Sequence, residues 1–135
     1  MGNEMTNGTN DHGIKFSQIA WFDRLLKAHP NVVVANRHQD IIWDITRKHG
    51  CAIQAICLDE YTCGIGKVLE VRAEFPEVNL IYVGGMWNKY TMEAKECCLD
   101  SNLGIFNTVE MSGALHKDDF WNYYKKDKDG NPIYP

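Results

Sequence analysis

The amino-acid sequence predicts an α/β protein with a mixed central sheet of about five strands flanked by helices. Segments whose apolar residues recur at helical spacing alternate with short apolar runs rich in β-branched residues. Three predicted strands follow one another directly, and helices alternate with strands only after them, which is typical of a mixed sheet. With 135 residues, 44% of them hydrophobic, the chain can bury a core as one domain.

The predicted domain covers residues 14–125. Residues 1–13 are rich in Asn, Gly and Thr and are predicted to be a disordered tail. Residues 126–135 are predicted to be a polar carboxyl-terminal tail.

The first half of the domain contains one predicted helix and three predicted strands. An amphipathic helix is expected over residues 16–29, since apolar side chains recur there at helical spacing and Pro30 ends the pattern. The valine run at 32–34 predicts a short buried strand. The apolar segments 40–46 and 51–58, joined by a turn that contains glycine, predict a β-hairpin.

The second half alternates helices and strands. Its predicted elements are a helix over 64–75, a strand over 80–83, a helix capped by Thr91, a strand over 103–106, and a helix or pair of turns over 109–124. Gly84 and Gly85 directly follow a predicted strand. Because open α/β sheets bind ligands beyond the carboxyl ends of their strands, Gly84, Gly85 and the nearby Trp87 are predicted binding residues.

Composition disfavours several classes of protein. The net charge of −4 argues against a generally basic nucleic-acid-binding surface. No apolar run approaches the roughly 20 residues of a membrane span, so no membrane partner is expected. The five cysteines lack the spacing of a zinc site. With no signal peptide evident at the amino terminus, they indicate a reducing, cytoplasmic location.

Three stretches of the sequence resemble corresponding stretches of a known protein family. They are AIQAICLDEYTCGIGKVLEVRAEF, NLIYVGGMWNKYTMEAKECC and NLGIFNTVEMSGAL. Together with the order of elements, they resemble the Mrr-like branch of the restriction-endonuclease-like nuclease superfamily over about residues 16–120. The resemblance implies a fold of helix, three strands, helix and strand, followed by a further helix, strand and terminal helix. It also implies Mg²⁺-dependent hydrolysis of DNA, and members of the family often dimerise.

The family places an Asp at the start of the second core strand, and an acidic residue or Gln, followed two positions later by Lys, on the third. Asp40 and Gln54 match the first two positions, but Ile56 stands where the Lys is required. Asp44 lies on the same strand face as Asp40 and is a predicted second metal ligand. Lys67 is the predicted replacement for the missing Lys. The implied catalytic set is therefore Asp40, Gln54 and Lys67, with Mg²⁺ on Asp40 and Asp44 if the domain is active.

Two other functions stay open. The surplus of carboxylates also suits a non-enzymatic acidic protein that binds or inhibits a protein partner, for example in a phage or other mobile element. A doubly wound nucleotide-binding protein would place the Gly84-Gly85 loop at its switch point, and it would require a helix over residues 40–49. DNA, a protein partner and a second copy of the chain are thus the expected partners.

Overall fold

The computed structural model describes residues 6–85 and 87–135. Its four α-helices are α1 (Phe16–Ala28), α2 (Ile65–Glu74), α3 (Met92–Asp100) and α4 (Thr108–Ala114). The strands are β1 (Val32–His38), β2 (Ile42–Arg47), β3 (Ile53–Leu58), β4 (Thr62–Cys63), β5 (Leu80–Val83), β6 (Lys89–Tyr90), β7 (Gly104–Asn107), β8 (Lys125–Lys126) and β9 (Pro132–Ile133). None of the described helices has both the length and the apolarity needed to cross a membrane.

A mixed five-stranded sheet with the strand order β1-β2-β3-β5-β7 forms the centre of the protein. Strands β1, β2 and β3 form an antiparallel meander, whereas β3, β5 and β7 run parallel. Two parallel crossovers, through α2 and α3, link the parallel strands. The predicted α/β class, with about five strands in a mixed sheet flanked by helices, is confirmed.

The β2–β3 hairpin forms as the sequence predicts. Asp44 lies opposite Gln54 and Ile42 lies opposite Ile56 in its register. Gly50 lies in the connection with φ +97°, a conformation that favours glycine. Because residues 42–47 form a strand, the doubly wound sheet, which requires a helix over residues 40–49, is not formed.

The core lies on both faces of the sheet. All four residues of β5 are buried, which requires cover on both faces of the sheet at this interior strand. On the α1 side, the Phe22 ring stacks on Tyr82 at 4.1 Å between centroids and meets Trp43 edge-on at 4.9 Å. Helices α2 and α3 pack on each other, and α3 also packs on β7.

Several boundaries differ from the prediction. Strand β1 continues to His38 because its polar residues pair with β2 through the backbone at the sheet edge. The segment predicted as a helix or pair of turns over 109–124 contains the shorter α4 and a 3₁₀-helix at Phe120–Asn122. Strands β4 and β6, which pair in parallel, were not predicted.

The two predicted tails are in contact with other parts of the chain where the structure describes them. Thr6, Asn7 and Gly8 donate backbone hydrogen bonds to Asp40, whereas the sequence predicts disorder throughout 1–13. Residues 1–5 of that predicted tail lie outside the described residues. At the other end, β8 pairs with β9 as a small hairpin.

Candidate functional site

Asp44 and Gln54, two of the predicted site residues, lie side by side on the β2–β3 hairpin. The Gln54 Nε2 donates to Asp44 Oδ1 at 2.8 Å, as the cross-strand register requires. His38 Nε2 lies 3.1 Å from the other carboxylate oxygen of Asp44. The Asp44 side chain is 58% exposed, so this pair forms on the solvent side of the hairpin.

The position expected to carry the catalytic lysine is part of the core. Ile56 lies opposite Ile42, and both side chains are completely buried. A lysine there would need to reach solvent or a charged partner, since burying an unpaired ammonium is costly. The Asp44–Gln54 pair therefore has no cation at the position where the resembled family places one.

Asp40 does not join this pair. It precedes β2, and Asp44 lies four positions further along the chain, a separation of up to about 13 Å in an extended strand. It adopts φ +66°, and only 2% of the residue is exposed. The predicted sharing of a metal ion by Asp40 and Asp44 is thus not supported by the geometry.

The Asp40 carboxylate instead anchors the amino-terminal segment. Its Oδ1 accepts from the backbone amides of Thr6 at 2.7 Å and Asn7 at 2.8 Å, and its Oδ2 accepts from Thr6 Oγ1 at 2.6 Å and Gly8 N at 2.9 Å. Arg37 Nη1 lies 3.3 Å from Oδ1. Burial raises the pKa of Asp40, but the hydrogen bonds from Thr6, Gly8 and Asn7 outweigh it and hold the pKa well below its usual range. Donors thus occupy both oxygens.

Lys67, the predicted substitute for the missing lysine, lies in a network of His12 and glutamate side chains. Its Nζ lies 3.2 Å from His12 Nδ1 and 3.5 Å from carboxylate oxygens of Glu60 and Glu70. Gln54 has other neighbours: its side chain bonds to Asp44, and its backbone amide donates to Asn79. Asp40 and the His12–Glu74 pair beside Lys67 line one cavity, of about 240 Å³, and Gln54 is not among its lining residues. The predicted catalytic set is therefore divided, with Gln54 on the hairpin and apart from the other two residues.

Among the residues that the structure describes, one group of side chains has ligand atoms close enough together to consider a metal ion. Atoms of His12, Glu70 and Glu74 lie within 4.8 Å of one another. However, both ring nitrogens of His12 are engaged, Nε2 with Glu74 at 3.0 Å and Nδ1 with Lys67. The Lys67 ammonium also supplies a positive charge at this position. The donor set fits an ion-pair network on α2 better than the oxygen-rich octahedral site that Mg²⁺ prefers.

A cavity of about 420 Å³ opens at the carboxyl edge of the parallel strands, next to the end of β5 and the start of α4. We refer to it as the carboxyl-edge pocket. It includes the predicted binding residues Gly84 and Gly85, whereas Trp87, which is 79% exposed, is not among its lining residues. The pocket is lined by Ser17, Gln18, Trp21, Tyr82, Gly84, Gly85 and Thr108.

Most polar groups of the pocket are already paired. The Thr108 hydroxyl donates to the carbonyl of Gly85 at 3.2 Å, so its oxygen is left to accept from the Tyr82 hydroxyl at 2.9 Å. Burial raises the pKa of Tyr82 to about 12, which keeps the phenol neutral. The amide of Gly84 donates to Leu58 O at 2.8 Å, and its carbonyl accepts from Asn88 Nδ2 at 2.6 Å.

One buried polar atom of the pocket lining, unlike the paired groups above, has no hydrogen-bond partner among the described residues. This atom is Gln18 Oε1. Turning Gln18 Oε1 into the pocket would let a ligand donor recover the free energy that a buried acceptor without a partner costs. Glycine is favoured next to Gln18, because Gly85 has φ +96° and a Cβ there would lie 3.0 Å from Asn88 Nδ2 and 3.6 Å from Gln18 Nε2.

The pattern of the strands identified two of the seven lining residues, Gly84 and Gly85, and α1 supplies three of those that were missed. Gln18 and Trp21 lie outside the apolar stripe that predicts α1, and Trp21 is 42% exposed. A tryptophan on the polar side of an amphipathic helix was a usable signal, since a large exposed aromatic can mark a binding surface.

Comparison of the chain with protein-family models, with curated proteins and with solved structures gives no significant match. The function is therefore argued from the geometry of the chain itself.

Proposed function

We propose that this chain is a ligand-binding domain that takes a small uncharged molecule in the carboxyl-edge pocket. The observation that carries the proposal is the convergence of α1, the end of β5 and the start of α4 on one cavity of about 420 Å³. That volume lies in the range of small-molecule sites, and its position matches the place where open α/β sheets bind ligands. The aromatic wall supplies contact area, and the paired polar groups keep that wall in place.

A binding role, in place of cleavage, also agrees with the arrangement of residues at the β2–β3 hairpin. Of the residues that the resemblance assigns to metal-dependent cleavage, Gln54 pairs with Asp44 and not with Asp40 or Lys67. Hydrogen-bond donors occupy both oxygens of Asp40, and a buried isoleucine stands at the lysine position. Metal-assisted hydrolysis needs its ligands and its charge-stabilising group around one phosphate. The restriction-endonuclease-like resemblance is thus retained here as a proposal about the fold, with binding in place of cleavage.

The binding role is tested by ¹⁹F NMR of protein labelled with 5-fluorotryptophan and titrated with uncharged aromatic fragments. Binding in the pocket should shift the Trp21 resonance in a saturable way and leave Trp121, in the 3₁₀-helix, unchanged. Ser17→Phe places a bulky ring in the pocket from the exposed face of α1 and should abolish the shift. Ser101→Phe makes the same change beyond the far end of α3 and should leave binding intact.

The proposal is wrong if no fragment shifts Trp21 saturably, or if Ser17→Phe binds as the unaltered protein does. Circular dichroism of both variants shows whether the fold is kept.

A second candidate function is Mg²⁺-dependent cleavage of DNA. Two observations favour it: the order of helices and strands is the one that the resemblance implies, and Asp44 faces Gln54 across the hairpin. Incubation of plasmid and linear DNA with the protein and Mg²⁺ or Mn²⁺ tests this function. Cleavage that Asp44→Asn abolishes would establish it, whereas intact DNA with both metals would remove it.

A further inference from the structure

We infer that the ligand of the carboxyl-edge pocket is an uncharged nucleoside whose base donates an N–H hydrogen bond to Gln18 Oε1. This inference rests on the proposed function and names the class of molecule that fits the pocket.

The first argument is charge. Among the described lining residues, none has a charged side chain, and the one titratable group, the Tyr82 phenol, is held neutral by burial. Arginine and lysine are the side chains that bind phosphate most strongly, and the described lining has neither; the amide of Gly84 is also already bonded to Leu58 O. The net charge of −4 further disfavours an anion. The lining thus selects a neutral nucleoside over a nucleotide.

The second argument is shape. The Trp21 and Tyr82 rings are nearly parallel, 4° apart in plane with centroids 6.4 Å apart, and Phe22 stacks behind Tyr82. Because Tyr82 is held by Phe22 and by Thr108, this wall is fixed before a ligand arrives. Trp21 is partly exposed at the cavity and offers an aromatic face. Flat bases stack on such faces because every base has a π-face.

The third argument is the hydrogen-bond inventory. The carbonyls of Gly84 and Gly85 already accept hydrogen bonds, and the Tyr82 and Thr108 hydroxyls bond to each other. Within the pocket lining, Gln18 Oε1 is a buried acceptor without a partner among the described residues. This oxygen can accept a hydrogen bond from a ligand, and the exocyclic amino group of a base such as adenine is a donor that carries no charge. Ser17, which is exposed at the same pocket, is placed to meet ribose hydroxyls.

The same base could come from a free nucleoside or from a nucleic acid strand. The uncharged lining and the acidic chain favour the free nucleoside, since strand binding relies on basic residues along the phosphates. Adenosine monophosphate and a short oligodeoxyadenylate therefore serve as separate probes.

The test is isothermal titration calorimetry with adenosine, purine riboside, adenosine monophosphate and the oligodeoxyadenylate. Purine riboside differs from adenosine only in lacking the amino group. Adenosine should bind roughly 5-fold more tightly than purine riboside, which is the effect of one neutral hydrogen bond. Adenosine monophosphate and the oligonucleotide should bind more weakly than adenosine. Gln18→Met keeps the side-chain length but removes the acceptor, and it should make adenosine and purine riboside bind equally.

Equal affinity of the unaltered protein for adenosine and purine riboside would overturn the inference, as would an adenosine preference that survives Gln18→Met. Tighter binding of the oligonucleotide would assign the base to a nucleic acid and overturn the free-nucleoside claim. Failure of all four probes, while uncharged fragments still shift Trp21 and Ser17→Phe still blocks them, would end the nucleoside inference and leave the proposed binding function standing. If the uncharged fragments also fail to bind, both the nucleoside inference and the proposed binding function are wrong.

Discussion

At the scale of single residues, Asp40 shows how one carboxylate can be misassigned from sequence. Its place before a strand matches the Asp of a metal-dependent nuclease, yet its oxygens accept from Thr6, Asn7 and Gly8. Those donors lie more than 30 positions away in the chain, so no local sequence pattern predicts these hydrogen bonds. Asp44 and Gln54, by contrast, face each other because of strand alternation and register, which the sequence does encode.

We predict that Asp40→Asn lowers the free energy of unfolding by about 1–3 kcal/mol, because one amide N–H then faces donors in place of an acceptor. Asparagine tolerates the positive φ of this position, so the change isolates the charge and the hydrogen bonds. Urea denaturation at neutral pH measures the loss. Asp44→Asn, at an exposed position, is the matched control and should change stability by less than about 0.5 kcal/mol.

The same residue predicts an acid-dependent loss of stability. A pKa below its usual range means that the folded state holds the charged form more strongly than the unfolded state does. The resulting stabilisation is present above about pH 4 and is lost as the pH falls below that value toward the folded-state pKa. Urea midpoints from pH 7 down to pH 2.5 should fall less steeply in Asp40→Asn than in the unaltered protein. Parallel profiles would contradict this assignment.

At the scale of elements, the β2–β3 hairpin is tied to α4 by one buried arginine. Arg47 donates to the carbonyls of Leu115 at 3.2 Å and Lys117 at 2.6 Å, beyond the end of α4. It also donates to Cys51 O within its own hairpin. The hairpin itself was predictable from its β-branched arms and its glycine. The link to α4 was not, because it depends on where two distant elements meet.

We predict that Gly50→Ala destabilises the domain by about 1 kcal/mol or more, since alanine is strained at φ +97° and its Cβ would contact the Arg47 guanidinium. Thermal unfolding followed by circular dichroism measures the change. Gly66→Ala is the matched control: it lies within α2 with open space around it, and it should raise stability by about 0.5–1 kcal/mol. A Gly50→Ala protein as stable as the unaltered one would refute the role of this turn.

At the scale of the whole molecule, the order of helices and strands was largely predictable from the sequence, whereas the contacts between elements distant in the chain were not. The mixed sheet follows from three consecutive strands and the two helix–strand units after them, as local periodicity indicates. Gly84 and Gly85 were found because strand ends carry ligand sites in such sheets. Gln18 and Trp21 were missed because the docking of α1 beside β5 is a tertiary feature.

The amino-terminal segment is a further whole-molecule feature. Deletion of residues 1–8 should destabilise the domain, because it takes the donors of Thr6, Asn7 and Gly8 away from the buried Asp40 carboxylate. In the Asp40→Asn background the same deletion should cost less, because the two changes remove one shared network. Urea denaturation of the four proteins of this cycle measures the coupling. Additive costs would show that the segment and Asp40 act independently.

The most direct test of these proposals is where on the protein adenosine binds. Two-dimensional ¹H–¹⁵N NMR during a titration with adenosine shows whether the binding site is the carboxyl-edge pocket or the β2–β3 hairpin. Binding at the pocket predicts saturable amide shifts that concentrate at Ser17, Gln18, Gly85 and Thr108, with Asp44 and Gln54 unchanged. Saturable shifts centred on Asp44 and Gln54, with the pocket amides unmoved, would contradict it.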